Sequence, residues 1–417
     1  MNSRGLTRVG YVVLAAALIF RLVSVHFYPL SWRIFSDMGN YVNIANDLRE
    51  GVWKPTHFFQ PIGFSYIVYL FLLTFDDWTR ALGIYQSIIG TASLWLMWKA
   101  AEHSFGQRVG VISLLVGAVH APLLGLNLYA LSETTFTFLL SLLLWMSVKV
   151  LERDSYGWSA LWGLTFFAAF VIKGTHIFMA PLFLLGVLVW KRWSWQAISR
   201  VAVPVSAVVA MGLLLHGVLT YKTIGTFQLS ASAGGLNLVE GKCPLKENVD
   251  SEGATWFSPV YVQLGYTGTM VWERPFTDSG YFMREGLRCI KDDPLVLVQS
   301  LENVPLLFVG NVLWPVGTTS AGPYFRLHGI LWGCFVIVGL VVWCRSYWPW
   351  RPDDWPVVLT WAVPILALFL CVYVFKSEIR FRVPFDVFFI PVALKGWASI
   401  LNLSMTNAAA GGAEASA

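Results

Sequence analysis

Long runs of apolar residues alternate with short polar connections along most of the chain. A helix needs about 20 apolar residues to cross the hydrocarbon core of a bilayer. Ten runs approach that length and are predicted to be membrane-spanning helices: 8–27, 81–99, 108–127, 130–149, 157–173, 176–190, 200–220, 326–344, 355–375 and 383–402. The pattern therefore predicts an all-α polytopic membrane protein.

Two further apolar segments cannot be assigned from the pattern alone. Ile62–Phe75 is short for a span, and Leu295–Trp314 contains several polar residues. Each segment can cross the membrane or lie as a short interfacial or re-entrant helix. The prediction is therefore about ten spans and up to twelve.

Lys and Arg in the short connections favour ten spans. Short basic connections lie on the cytoplasmic side of a membrane. Five occur here, at Arg4/Arg8, Lys99/Arg108, Lys149/Arg153, Lys191/Arg192/Arg200 and Arg345/Arg351. All five are cytoplasmic only in the ten-span arrangement. That arrangement puts the polar stretches on the outer face, namely residues 28–80, the turns near 127–133 and 173–176, the 221–325 loop and the 376–382 bend.

The composition agrees with a lipid environment. Hydrophobic residues make up 56% of the chain and charged residues 13%, and the mean hydropathy is +0.61. Soluble domains carry about 25% charged residues, so a soluble enzyme, a disordered chain and a disulfide scaffold are excluded. The net charge of +5 implies no nucleic-acid partner, because basic loops facing the cytoplasm account for it.

The pattern divides the chain into four regions. Residues 1–220 form a transmembrane module that includes the first outer loop 28–80, and residues 221–325 form an extracytoplasmic loop region. Residues 326–403 hold the last spans, and the small residues of 404–417 predict a disordered tail. Cys243 and Cys289 both lie in the loop region. An oxidising exterior would permit a disulfide there, and the sequence leaves that pairing open.

Two acidic residues lie where outer connections meet predicted helices. Asp37 begins a stretch with helical spacing, and Glu133 begins an apolar span. A carboxylate at the rim of a membrane cavity can act as a general base on a hydroxyl, although Asp37 also suits a helix cap. Glu133 is either a functional ionisable group or a partner of the helix dipole.

Basic residues occur at two other outer positions. Lys173 is wedged between two spans, where it either snorkels to the interface or holds an anionic headgroup. The bend between the last two spans carries Lys376, Glu378, Arg380 and Arg382. Arg can bind phosphate with two parallel hydrogen bonds. The alternative is a solvated turn whose charges neutralise one another.

Taken together, these segments resemble the C-type glycosyltransferase (GT-C) superfamily, and within it glycosyltransferase family 39 with its aminoarabinose, galacturonic acid and protein O-mannose transferases. The resemblance is carried, in chain order, by Ser36-Asp37-Met38-Gly39-Asn40-Tyr41, Gln60-Pro61-Ile62-Gly63-Phe64, Ser132-Glu133, Lys173 and Glu378-Ile379-Arg380-Phe381-Arg382-Val383-Pro384. Many members carry an Asp-Glu pair where this chain has Asp37-Met38. That departure leaves the subfamily and the sugar open.

The resemblance implies a GT-C fold with juxtamembrane helices and an outer-face loop domain. It implies inverting transfer of a sugar from a polyprenyl-phosphate donor to a hydroxyl of a glycolipid, polysaccharide or protein. The implied catalytic residues are Asp37 and Glu133, and the implied donor-phosphate ligands are Lys173, Arg380 and Arg382. The implied substrate-binding residues are Tyr41, His57, Gln60, His176 and Glu378. Some GT-C enzymes use a divalent metal (Mg, Mn or Zn) and others none, so no cofactor is assigned.

The implied partners are the lipid-linked donor, a lipid-linked or envelope glycan acceptor, and membrane lipids. The implied location is the bacterial inner membrane, with the active site facing the periplasm or exterior. The alternative function is a polytopic lipid or glycan transporter or flippase, which needs polar residues near the bilayer midplane. Arg21, His120 and His216 are its candidates. A non-catalytic scaffold is a third hypothesis.

Overall fold

The computed structural model describes residues 3–34, 37–243, 254–256, 270–272, 277–309, 322–348 and 351–401. The predicted tail 404–417 and much of the 221–325 loop region lie outside these residues. The helices are α1 Ser3–Phe27, α2 Asp37–Arg49, α3 Gly63–Thr74, α4 Trp78–Phe105, α5 Gln107–Val119, α6 Ala121–Leu126, α7 Glu133–Arg153, α8 Tyr156–Ile172, α9 Met179–Trp190, α10 Trp195–Ala197, α11 Val203–Ile224, α12 Ala233–Lys242, α13 Ser279–Asp292, α14 Val296–Gln299, α15 Asn303–Val309, α16 Gly322–Ser346, α17 Trp355–Val374, α18 Ile379–Arg382 and α19 Asp386–Ile400.

The predicted helical membrane fold is confirmed. Every predicted span coincides with a helix or with consecutive helices. Among the residues described, six helical stretches are long and apolar enough to cross a bilayer by length and composition: Arg4–Phe27, Glu133–Arg153, Trp195–Ile224, Leu327–Ser346, Pro352–Val374 and Ile379–Ile400. The number of crossings stays a prediction.

The predicted 108–127 span is broken. His120 takes an extended backbone between α5 and α6, and Pro122 lies at the start of α6. Proline lacks a backbone N–H and favours a helix start over a helix interior. Pro122 therefore explains why one helix ends and another begins at this position.

The two ambiguous segments form short helices. Ile62–Phe75 becomes α3, which has 12 residues and a length of about 18 Å, well short of a hydrocarbon core of about 30 Å. The 295–314 segment is divided into α14, a 3-10 turn at Ser300–Glu302, and α15. Neither is long enough to span as one straight helix within the residues described.

The five basic connections meet at one end of the helix bundle. Side-chain contacts of 2.8 to 3.1 Å link them in series: Thr7 to Gln107, His103 to Glu152, Asp154 to Lys191, and Trp190 to the Pro352 carbonyl. This clustering agrees with the charge rule that predicted a common side for these connections.

The loop region places α12 and α13 against the first outer loop. Leu236, Val239 and Phe282 form a small core between the two helices, and a disulfide joins Cys243 to Cys289. The backbone N–H groups of residues 232 and 233 donate to the carbonyls of residues 58 and 59. A short antiparallel pair, β1 Ala254–Trp256 and β2 Met270–Trp272, departs from the all-α expectation.

Close packing of α16 on α19 depends on glycine. A Cβ at Gly396 would overlap the Gly339 carbonyl, whereas a Cβ at Gly39 in α2 would meet no atom within 4 Å. Overpacking costs about 1–3 kcal/mol or more, and Ala is favoured over Gly in a helix by about 1 kcal/mol. We expect Gly396→Ala to lower the thermal unfolding midpoint in detergent and Gly39→Ala to leave it unchanged or higher. Equal midpoints for both variants would contradict the close crossing.

Candidate active site

A cavity of about 220 Å³ lies where α2, the start of α7, the end of α8, α12 and the bend after α17 meet. Aromatic and aliphatic side chains form much of its wall. Seven charged residues also line it: Asp37, Glu133, Lys173, Glu240, Lys376, Glu378 and Arg380. Such a combination of apolar walls and converging polar groups is typical of ligand sites.

Asp37, the first residue of α2, contacts two segments that are distant in the chain: the first outer loop and the bend after α17. Its carboxylate accepts hydrogen bonds from Arg380 Nη1 at 2.8 Å and from Gln60 Nε2 at 3.1 Å. Burial raises the pKa of Asp37, but the charge and hydrogen bond of Arg380 lower it further, so the net pKa lies below its ordinary value. Asp37 is therefore ionised at neutral pH and makes tertiary contacts beyond those of a helix cap.

Glu133 and Lys173 form a second ion pair in the cavity wall. Glu133 begins α7, and its side chain is 2% exposed; Lys173 follows α8, and its Nζ lies 2.6 Å from Glu133 Oε1. The ammonium also lies over the Phe381 ring, 5.3 Å from its centroid. Lys173 thus faces a carboxylate and an aromatic ring inside the protein, which differs from a lysine that snorkels to the interface.

The bend after α17 continues the polar wall. Glu378 accepts from Arg380 Nε at 2.8 Å and lies 3.2 Å from Lys376 Nζ. Burial raises the pKa of Glu378, but Arg380 and Lys376 lower it further, to about 2. These three charges face the cavity, which disagrees with the alternative of a solvated turn.

Sequence reasoning missed Glu240 and did not select Lys376. Glu240 on α12 is fully buried and lies 2.6 Å from Lys376 Nζ. A lone carboxylate directly after Leu238 and Val239 was the available signal, but it points to a partner only once α12 is known to be a helix.

The structure brings together most of the predicted site residues. Asp37, Gln60, Glu133, Lys173, Glu378 and Arg380 line one cavity. Tyr41 lines it as well, and its hydroxyl lies 3.3 Å from Ser132 Oγ. These contacts join segments that are far apart in the chain, as the predicted common face requires.

Three predicted residues lie outside the cavity lining. The His57 ring bonds Asp47 at 2.8 Å, and both ring nitrogens of His176 lie near backbone carbonyls. Arg382 bonds the Leu307 carbonyl and lies 3.3 Å from Asp386. Positions two apart on a helix point to opposite sides, so Arg380 faces the cavity and Arg382 the bundle interior.

The three residues that a transporter would need lie at separate places. Arg21 borders a void of about 10 Å³ beside Gly90. His120 bonds Asp386 at 2.8 Å, and His216 packs edge-on against Phe58. No contact joins these three among the residues described.

Some GT-C enzymes use a divalent metal, and here such an ion would have to be bound by the two implied catalytic carboxylates, Asp37 and Glu133. Each already pairs with a cation, Arg380 or Lys173, and no group of three or more His, Cys, Asp and Glu side chains gathers within the described part of the chain. The observed donor set does not fit a divalent ion as it stands.

Comparison with known proteins gives one family match. Residues 59–219 match the family model described as dolichyl-phosphate-mannose-protein mannosyltransferase. The match covers less than half of the chain, and it agrees with the predicted resemblance over that segment, which contains Gln60, Glu133 and Lys173.

Among solved structures, the chain is similar to the crystal structure of ArnT from Cupriavidus metallidurans bound to undecaprenyl phosphate. The identity is 14%, the match covers 94% of this chain and 77% of that chain, and the TM-score is 0.41. No curated protein matches the sequence.

Proposed function

We propose that the protein transfers a sugar from a polyprenyl-phosphate donor to a hydroxyl of a cell-envelope acceptor. The observation that carries this proposal is one cavity in which an ionised carboxylate, Asp37, lies beside two cations suited to phosphate, Lys173 and Arg380. The matched family's description names dolichyl-phosphate-mannose, which supports a lipid-phosphate sugar as the donor.

Asp37 acts as the general base in the proposed reaction. It takes the proton of the acceptor hydroxyl as that oxygen attacks the anomeric carbon. The bond between the anomeric carbon and the phosphate oxygen breaks at the same time, and the phosphate leaves with the bonding electrons. A single displacement from the opposite face inverts the anomeric configuration.

Arg380 links the base to the leaving group. A guanidinium has five donors in a planar fork; Nη1 bonds Asp37 and Nε bonds Glu378. A phosphate beside Arg380 and Lys173 would have its developing charge stabilised. It would also neutralise part of the charge that lowers the pKa of Asp37, so donor binding would make Asp37 a better base.

The proposed location is a bacterial inner membrane, with the cavity open to the periplasm or exterior. Two observations support this side. The basic connections gather at the end of the bundle away from the cavity, and short basic connections face the cytoplasm. The disulfide between Cys243 and Cys289 belongs to an oxidising compartment.

Mass spectrometry of envelope lipids, glycans and proteins tests the function. A host strain that lacks the gene would be compared with the same strain carrying the wild-type gene. We expect the wild type to restore a sugar-sized mass increment on one envelope component, and the increment names the sugar. An unchanged glycan profile together with a changed distribution of a lipid between leaflets would contradict transfer and favour the transporter alternative.

A further inference from the structure

The cavity contains an unbroken series of opposite charges that begins outside the membrane helices. Glu240 on α12 pairs with Lys376 at 2.6 Å, and Lys376 lies 3.2 Å from Glu378. Glu378 pairs with Arg380, and Arg380 with Asp37, each at 2.8 Å. The series therefore joins the loop region to the proposed base through three intervening side chains.

The outer end of the series is firmly seated. Glu240 is 0% and Lys376 is 6% exposed. A Cβ at Gly241 would overlap the Phe375 carbonyl, so α12 lies directly against the bend. Lys242 on the same helix bonds the Tyr373 carbonyl and Ser300 Oγ. The pair between Glu240 and Lys376 is thus held by backbone contact on both sides.

We propose that Glu240 is a positioning residue for the transfer reaction. By holding Lys376, it determines how strongly Glu378 retains Arg380, and thereby how basic Asp37 is. The inference rests on the proposed function, in which Asp37 is the base.

The sign of the effect follows from the series. Without the charge of Glu240, Lys376 attracts Glu378 more strongly. Glu378 then holds Arg380 less, so Arg380 turns more fully to Asp37 and the pKa of Asp37 falls. Without Lys376, Arg380 is the only cation that pairs directly with Glu378 among the residues described, and Glu378 draws it away from Asp37, so the pKa of Asp37 rises.

Other charges lie near the series. Glu240 faces Lys376 and Glu378, and burial raises its pKa to about 7 in spite of Lys376. Glu133 also acts on Arg380, and Lys173 on Glu378. Glu133 and Lys173 form their own ion pair and are unchanged in the variants of Glu240 and Lys376. Wild-type protein thus gains the charge of Glu240 as the pH rises through about 7.

The test is the pH dependence of the initial transfer rate. Purified protein is incubated with membrane vesicles from the deletion strain, which hold the donor and the unmodified acceptor, and the mass increment is followed. We expect the wild-type rate to rise further as Glu240 gains its charge near pH 7, and we expect Glu240→Gln to lack that rise and to keep a lower plateau rate. Lys376→Met is expected to move the acid limb set by Asp37 to higher pH and to lack the rise near pH 7.

The double variant separates positioning from direct contact. Because Glu240 acts through Lys376, adding Glu240→Gln to Lys376→Met should change the profile no further. Glu240→Asp keeps the charge and should retain the wild-type rise near pH 7. A paired carboxylate elsewhere in the loop region, Glu285, which bonds Arg288, supplies the control Glu285→Gln, with an unchanged profile.

The outcomes are distinguishable. Wild-type and Glu240→Gln profiles with the same rise near pH 7 would overturn the inference, and so would an undiminished effect of Glu240→Gln in the Lys376→Met background. If Glu240→Gln does not accumulate in the membrane, Lys376→Met still tests the inference. A Lys376→Met profile whose acid limb does not move to higher pH would overturn it. A wild type without any mass increment would instead overturn the proposed function.

Discussion

Asp37→Asn is expected to reduce the rate of sugar transfer by about 100-fold to 10,000-fold, which is the usual contribution of a general base. Asn has nearly the shape of Asp and can still bond Gln60, but it cannot take a proton. Arg380 keeps its bond to Glu378, so its charge is not left unpaired. The loss should therefore be catalytic, with little change in the amount of folded protein.

The rate is measured as the sugar-sized mass increment per unit time, with both proteins present at equal level. Asp154→Asn is the matched control, because Asp154 is paired with Lys191 at the opposite end of the bundle. It should transfer at the wild-type rate. Full activity of Asp37→Asn would show that Asp37 is not the base.

Lys173→Met is expected to cost about 3–5 kcal/mol of stability, because it leaves the buried carboxylate of Glu133 without its cation. Glu133→Gln combined with Lys173→Met removes both charges and should recover most of that stability. Transfer activity should stay low in both variants, since Lys173 is proposed to bind the donor phosphate. The single and the double variant would thus differ in stability but share a low transfer activity.

Thermal unfolding in detergent measures the first quantity, and the vesicle assay measures the second. Lys191→Met serves as the control because its pair with Asp154 is partly exposed, and exposed pairs contribute about 0–1 kcal/mol. A double variant as active as the wild type would remove Lys173 from the phosphate site. A single variant as stable as the wild type would show that Glu133 does not need its cation.

Much of the fold could be predicted because a bilayer imposes a length on apolar helices. Each apolar run predicted to span coincides with a helix or with consecutive helices, and the basic connections predicted a common end. The break between α5 and α6 was missed because hydropathy does not register one proline in an apolar run. The α12–α13 pair was missed because its packing depends on a disulfide and on a core formed by few residues.

The candidate site could be predicted in part for a related reason. Asp37, Glu133, Lys173 and Arg380 are charges at the ends of apolar runs, where an ionisable residue stands out. Glu240 was missed because its partner, Lys376, lies in a distant segment and pairing across the fold is not visible in a pattern. Arg382 was assigned to the phosphate because the orientation of the four-residue helix α18 cannot be read from its sequence.

The contact between Asp37 and Arg380 spans 343 positions in the chain, and this has a consequence for biogenesis. A chain emerging from the ribosome inserts its early helices long before the final bend exists. Glu133 and Lys173 can pair at an intermediate stage, but Asp37 must wait for nearly the whole protein. Catalytic competence would then be acquired in one late step, so a prematurely terminated product would occupy the membrane without consuming the donor lipid.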